Sequence, residues 1–244
     1  MTRNPTKTIH TMPSTPADAV AFHSQIASEF HASYAHSKNR LDRLRVWRDF
    51  IDRYRGNARL AYDLGCGSGV LTWELASRGM KVVGVDGSAE MLAVARRGLA
   101  AHDQLQVRFE EMSLPLSEDA PLGPAPLIIS SSCLEYLDSV TEALYSIRRL
   151  LTHRGIVIFS ISNHDSFSRK LVRFVHRWSG RPKYLKYLRH FMTLESIRNA
   201  IAEAQLTYLE HGYFEGADRL NHLLGGVCSA KRSHNMIIVA ARRD

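Results

Sequence analysis

The chain has 244 residues, 45% of them hydrophobic. That suits one α/β domain with a substantial core and leaves two full domains cramped. Its net charge of +8 is local: eight Lys and Arg fall between Asp165 and Glu195 with no acid among them, and the remainder is balanced, which argues for one basic surface against a generally nucleic-acid-coated protein. Three cysteines, Cys66, Cys133 and Cys228, show no CxxC or zinc spacing. They point to a reducing, cytoplasmic setting with no disulfide framework and no structural metal. No apolar run reaches the roughly 18 residues a membrane-spanning helix needs.

Residues 1–16 are rich in Thr, Pro and Ser, carry Arg3 and Lys7 and no acid, and are expected to be a disordered tail, with a transit peptide as the alternative. Residues 17–244 are expected to form one domain. Ala17 to about Tyr54 reads as helical, because Phe22, Ile26, Ala27 and Phe30, then Leu41, Leu44, Trp47, Phe50 and Ile51, recur at three- and four-residue spacing. Ser37 or Asn39 is placed to cap the second part.

Leu60-Ala61-Tyr62 is a strand that runs into Asp63-Leu64-Gly65-Cys66-Gly67-Ser68-Gly69, and a helix follows over Val70 to Ala76. Glycines at 65, 67 and 69 let the backbone turn sharply and approach a ligand. The helix start points its unsatisfied N–H groups at whatever lies above the turn. Lys81 to Val85 is a second strand that ends on Asp86, where an acid is placed to bind a ribose diol. Ser88 caps a helix from Ala89 to about Leu99, with Met91 one turn in.

Leu105 to Phe109 predicts a third strand, with Glu110, Glu111 and Met112 leaving its end. Leu127-Ile128-Ile129 predicts a central parallel strand, ending in Ser130-Ser131-Ser132-Cys133-Leu134-Glu135-Tyr136. A helix over Val140 to Leu151, stopped by Gly155, precedes a fifth strand over Ile156 to Ile161. The basic stretch Ser166 to His190 follows. Thr193 caps a helix containing Leu194, Ile197, Ala200 and Ile201. Leu206 to Phe214 and Met236 to Ala240 are the last two strands. Strands alternating with helices give an open, doubly wound, Rossmann-like α/β sheet. Ligands bind beyond the C-terminal strand ends of such a sheet, so Asp63–Gly69, Asp86, Glu110–Met112, Ser131–Tyr136 and Ser162–Asp165 should converge.

These residues resemble the class I S-adenosylmethionine-dependent methyltransferases, especially the small-molecule branch that includes ubiquinone-biosynthesis enzymes. The likeness rests on Tyr62 to Gly69, Val83-Gly84-Val85-Asp86-Gly87-Ser88, Cys133-Leu134-Glu135-Tyr136-Leu137, Leu150 to Gly155 and Phe191 to Ile197. It implies a seven-stranded sheet whose last strand is antiparallel and inserted beside the fifth. It implies S-adenosylmethionine as cofactor, with Asp63, Gly65, Cys66, Gly67 and Gly69 at the methionine end. Asp86 would bind the ribose hydroxyls and Met91 would pack near the adenine, with Gly87, Met112 and Ser131 as further cofactor-binding residues. Phe30 and Tyr34 match a pattern that folds over the cofactor. Where the family often has an Asp after strand three, Glu110 or Glu111 must serve. The acid common at the start of strand four is Pro126 here, and the His that often follows the fourth-motif Glu is Tyr136.

Other functions fit less well. A nicotinamide dehydrogenase needs Gly-x-Gly-x-x-Gly, and position 70 is Val. Enzymes that methylate exocyclic base nitrogens usually carry an Asn/Asp-Pro-Pro-aromatic motif where this chain has Ser131-Ser132-Cys133-Leu134, so a nucleic acid or protein acceptor is the alternative, not the first reading. Cys133 reads as a small packed residue, not a nucleophile. A cofactor binder without activity is a further alternative, although the cofactor motifs are not eroded. For a small-molecule acceptor, the candidates for a general base are His164, His190, Glu135 and Tyr136. Three segments are expected to wall the pocket: about 17–54, 163–192 and 215–235, the last with Leu220, Leu223, Leu224, Gly225 and Gly226. Within 167–190, Leu171, Phe174, Val175 and Trp178 form one apolar helical stripe beside Lys170, Arg173 and Arg177. Such a helix suits either an anionic, lipid-bearing membrane surface or the roof of the acceptor pocket.

Overall fold

A computed structural model describes residues 15–99, 104–216 and 229–244. The expected tail and the Leu220–Gly226 part of the last wall therefore lie, almost entirely, outside the described residues. Three helices open the chain: α1 (Pro16–Gln25), α2 (Ala27–His36) and α3 (Lys38–Tyr54). The strands are β1 (Leu60–Leu64), β2 (Lys81–Asp86), β3 (Val107–Glu111), β4 (Ala125–Ser131), β5 (Leu151–Ser162), β6 (Thr207–Gly216) and β7 (His234–Arg242). Between them lie α4 (Val70–Ala76), α5 (Ala89–Leu99), α6 (Val140–Leu150), α7 (Phe167–Ser179) and α8 (Leu194–Glu203).

The strands form one sheet in the order β3-β2-β1-β4-β5-β7-β6. All pairs from β3 to β5 are parallel. β7 is inserted antiparallel between β5 and β6, so β6 again runs with β5 and its tip at Glu215 reaches the same edge as Asp63 and Asp86. Side chains along each strand alternate between two apolar layers, as the two-residue strand period requires. Leu127, Ile129 and Ile158 pack with Trp47, Phe50 and Ile51 of α3 and with Leu71 and Leu75 of α4. Ile128, Val157 and Phe159 pack with Leu144 and Ile147 of α6 and with Ile197 and Ile201 of α8. Trp47 and Ile51 are fully buried, each stabilising by about 2 kcal/mol, which fixes α3 across the sheet and brings its N-terminal half over the strand tips.

Four local expectations are corrected. The N-terminal helical stretch is broken at Ile26 and Ser37. Ser37 holds the capping position of α3 without a side-chain hydrogen bond. β3 is shifted toward its C-terminus: Glu110 and Glu111 are paired with Val85 and Asp86 as its last residues. α6 ends at Leu150, before Gly155, and β5 begins there, with Arg154 at φ 60. At Gly155 a Cβ would come within 2.9 Å of the Thr152 carbonyl oxygen, so the glycine serves a tight fold at the strand's start, not a helix stop. By contrast, Thr193 caps α8 as expected, and Ser196 completes a reciprocal box in place of Glu.

Candidate active site

A cavity of about 500 Å³ opens where the strand tips meet α1–α3 and the segment after β5. Its floor is the turn after β1. Gly65 has φ 73, and a Cβ there would lie 2.4 Å from the Cys133 Sγ; only glycine lets the β1 and β4 tips approach so closely. Cys133 is thus a packed residue whose thiol burial pushes well up, out of nucleophilic range. Gly67 has φ 53, and a Cβ there would project toward Phe30 and the Met91 Sδ, at 3.8 and 3.9 Å. Gly69 is different. It does not line the cavity; a Cβ there would strike Trp73, Ala95 and Phe109, so this glycine admits close helix–sheet packing.

Two acids face the cavity from the first two strand tips. Asp86 accepts from the Gly67 N–H at 2.7 Å and from the Ser88 N–H at 2.9 Å, which ties the glycine turn to the start of α5. Ser88 caps that helix through the Met91 N–H, and its hydroxyl lies 2.8 Å from that of Ser24 on α1. Asp63 is 1% exposed. Burial pushes its carboxyl up to about 7, opposed by the Thr72 hydroxyl, which donates at 2.7 Å, and reinforced by Asp86. A buried acid of this kind suits an ammonium group. Ser68 Oγ, also buried and facing the cavity, has no hydrogen-bond partner among the described residues. An orphan hydroxyl, a buried acid and a turn with glycine at 65 and 67 together fit the amino-acid end of S-adenosylmethionine.

Cys66, Gly87, Met91, Ser131 and Tyr34, all candidates from the sequence, line the cavity. Glu111 and Met112 do not: Glu111 is exposed at the end of β3, and the Met112 N–H donates to the Asp86 carbonyl. Ser113 and Leu114 line the wall in their place. The helices α1 and α2 form the lid. Phe30 lies beneath the Arg40 guanidinium at 4.3 Å, Tyr34 at 4.9 Å. His23 packs edge-on to Tyr136 at 5.1 Å, and burial, with Arg40 nearby, lowers its pKa to about 4. Phe22 stacks on Tyr187 at 4.8 Å, joining the lid to the segment after β5.

Of the four base candidates, the structure brings two to the cavity. Glu135 is 2% exposed and Tyr136 lies beside it. His190 instead donates from Nε2 to the Leu137 carbonyl at 2.9 Å, and its N–H and that of Arg189 donate to the Glu135 carbonyl; it clamps the 134–136 turn from outside. His164 is exposed against Asp165 and does not line the cavity. Burial pushes the Glu135 carboxyl up to about 7, offset in part by its own backbone N–H and by Arg43 and Arg169.

Sequence reasoning missed those two arginines. Arg43 lay on a helix read only for its apolar stripe, and Arg169 lay in a run read as surface charge. Arg43 is buried and bonds Glu215, Ser131 and Ser132. Arg169 reaches in from α7, donating to the Tyr184 hydroxyl at 2.7 Å. The apolar stripe of α7 points elsewhere. Leu171, Phe174 and Trp178 are 55%, 63% and 84% exposed and absent from the cavity lining, so the stripe is not its roof.

Residues 62–157 match the family described as a methyltransferase domain. Trans-aconitate 2-methyltransferase from Azoarcus sp. (strain BH72) is 34% identical over 136 residues, 54% of this chain and 51% of that protein. Ubiquinone biosynthesis O-methyltransferase from Nitrosococcus oceani is 31% identical over 117 residues, 46% of this chain and 49% of that protein. The chain thus spans about half the length of the curated relatives it matches. Among solved structures, magnesium protoporphyrin IX methyltransferase from Synechocystis PCC 6803 with bound SAH aligns with a TM-score of 0.70 at 17% identity, covering 93% of this chain and 99% of that one. That likeness is one of fold. The glycine turn and the two acids at the first strand tips fall within residues 62–157, the part of the chain that matches the methyltransferase domain, and the fold around them is that of the solved methyltransferase structure.

Proposed function

We propose that the protein transfers a methyl group from S-adenosylmethionine to a small-molecule acceptor that combines an apolar body with an acidic or anionic group. The observation that carries this is the division of one cavity into two ends. One is the glycine turn with Asp63 and Asp86; the other is Glu135, Tyr136 and Arg169 under an aromatic lid. When bound, S-adenosylmethionine supplies an electrophilic methyl carbon on a sulfonium. Asp63 would hold its ammonium and Asp86 its ribose hydroxyls, while Met91 and Phe30 pack beside it. The chain's own contribution is orientation and exclusion of water. The strand tips are fixed by the Gly65–Cys133 contact and by Asp86, and holding two reactants in line can supply about 7 kcal/mol or more of a barrier. Phe22, His23, Phe30 and Tyr34 cover the site from above.

The same reading makes this a cytoplasmic protein that meets an anionic membrane peripherally through α7. Among the described residues no helix is long and apolar enough to cross a membrane. The exposed Leu171, Phe174, Val175 and Trp178, flanked by Lys170, Arg173 and Arg177, have instead the form of an interfacial helix. The test of the function is a radiolabelled-methyl assay on extracts of the native organism, with mass identification of the product. A labelled small molecule is expected; label confined to RNA or protein would replace this reading with the alternative.

A further inference from the structure

Asp63 lines the floor of the cavity, and most of what surrounds it opposes its charge. Asp86 faces it from the tip of β2 with a second acid. Cys66 in the turn and Cys133 just after β4 face it with thiols that burial keeps protonated. Among the described residues no Lys, Arg or His acts on its charge. The groups that favour the carboxylate both belong to Thr72, nine residues further along, in the first turn of α4. The Thr72 hydroxyl donates to Asp63 Oδ2 at 2.7 Å, and its backbone N–H faces the same carboxyl. Thr72 is 0% exposed and does not line the cavity, so it meets the ligand space only through Asp63. A hydrogen bond to an ionised group is about twice as strong as one between neutral groups, and donation to a carboxylate favours its charged form.

We infer that Thr72 is a positioning residue for cofactor binding: its hydroxyl orients the Asp63 carboxylate and holds it ionised, and so sets the pH above which the site takes up S-adenosylmethionine. The role rests on the methyl-transfer reading above, in which Asp63 pairs with the ammonium group of the cofactor. Burial pushes the Asp63 carboxyl up to about 7. Loss of the Thr72 donor moves it further up, because the buried carboxylate then keeps its desolvation and the neighbouring Asp86 without the bond that offsets them. Below its titration range Asp63 carries a proton and offers an ammonium group no charge; above it, the pair forms. Methyl transfer would then fade as the surroundings acidify, from the cofactor side, whatever the acceptor. Valine keeps the branched shape of Thr72 and removes the donor; serine keeps the donor.

The test is calorimetric titration of the full chain with S-adenosylhomocysteine from about pH 6 to about pH 8.5, in wild type, Thr72→Val, Thr72→Ala and Thr72→Ser. Wild-type affinity is expected to rise through about pH 7 and then level off. Thr72→Val should rise about one pH unit later, binding about fivefold more weakly at about pH 7 and within about twofold of wild type at about pH 8.5. That recovery also shows that the variant is folded. Thr72→Ala, which removes the donor without crowding the site, should show the same delay, and Thr72→Ser should follow wild type. Asp86 is common to all four proteins, so its own titration cancels from the comparison. Valine and alanine curves lowered by one factor at every pH would leave Thr72 a structural residue only and overturn the inference. So would valine and alanine curves that coincide with wild type, a serine curve that follows valine, or wild-type affinity indifferent to pH. Failure of wild type to bind S-adenosylhomocysteine at any pH would overturn the methyl-transfer reading itself.

Discussion

Arg43 on α3 holds Glu215 at the tip of β6 through both Nε and Nη2, at 3.0 and 2.7 Å from the same carboxylate oxygen. Its Nη1 donates to the hydroxyls of Ser131 and Ser132 at the tip of β4, 3.0 and 2.7 Å away. One side chain thus links α3 to two strand tips at the cavity edge. Both partners are largely buried, so removing one leaves the other's charge without its compensation. Arg43→Met is expected to lower stability by about 3 kcal/mol, and Arg43→Met with Glu215→Gln by less. Urea midpoints of the two variants check this.

The two glycines at the cavity floor predict separable defects. A Cβ at Gly65 would lie inside the Cys133 side chain, whereas one at Gly67 would make only ordinary contacts with Phe30 and Met91 while entering the space proposed for the cofactor. Gly65→Ala should therefore cost about 2 kcal/mol or more in stability, from strain at positive φ and overpacking. Gly67→Ala should unfold closer to wild type yet bind S-adenosylhomocysteine about tenfold more weakly. Thermal unfolding and calorimetry on the same two preparations separate these effects.

Asp63 and Glu135 make the unliganded protein lose stability as pH rises. Burial lifts both carboxyls from the ordinary range near 4 up to about 7. Between those values the folded state holds protons that the unfolded chain has released, so stability falls with rising pH across that window and levels off above it. Acids paired with arginine, such as Glu74 and Asp52, are shifted down and act only at lower pH. Asp63→Asn should flatten the slope between about pH 5 and about pH 7 in urea denaturation. It should also remove the expected gain in S-adenosylhomocysteine affinity as pH rises through the same range, because only the ionised acid pairs with an ammonium group.

The outward stripe of α7 predicts sedimentation with liposomes that contain anionic lipid and recovery in the supernatant with neutral ones. Trp178→Ser with Phe174→Ser should abolish the binding without altering cofactor affinity, since neither side chain lines the cavity. Equal recovery from both kinds of liposome would remove the membrane from the proposed function.

The sheet was legible in the sequence because its strands are apolar runs that end on turn residues, and Asp63, Gly65, Gly67 and Asp86 sit at those ends by chain order alone. The acceptor end was not legible in the same way. Arg43 and Glu215 are 172 residues apart, and no local pattern announces a pair formed by a helix crossing the sheet. Arg169 shares a helix with exposed Lys170 and Arg173, and only the rotation of α7 decides which charge turns inward. His190 and His164 looked equivalent to Glu135 because all three were expected at the same sheet edge. Backbone hydrogen bonds from Arg189 and His190 to Glu135 put the carboxyl inside and the imidazole outside.

The turn from Asp63 to Ser68, with Asp86, is proposed to hold S-adenosylmethionine. Calorimetric titration of the full chain with S-adenosylhomocysteine, beside Asp86→Ala and beside NADH as a competing nucleotide, tests it most directly. The predicted result is stoichiometric binding to wild type, strong loss in Asp86→Ala and no binding of NADH. Binding of NADH in preference to S-adenosylhomocysteine, or S-adenosylhomocysteine binding that is indifferent to Asp86, would contradict it.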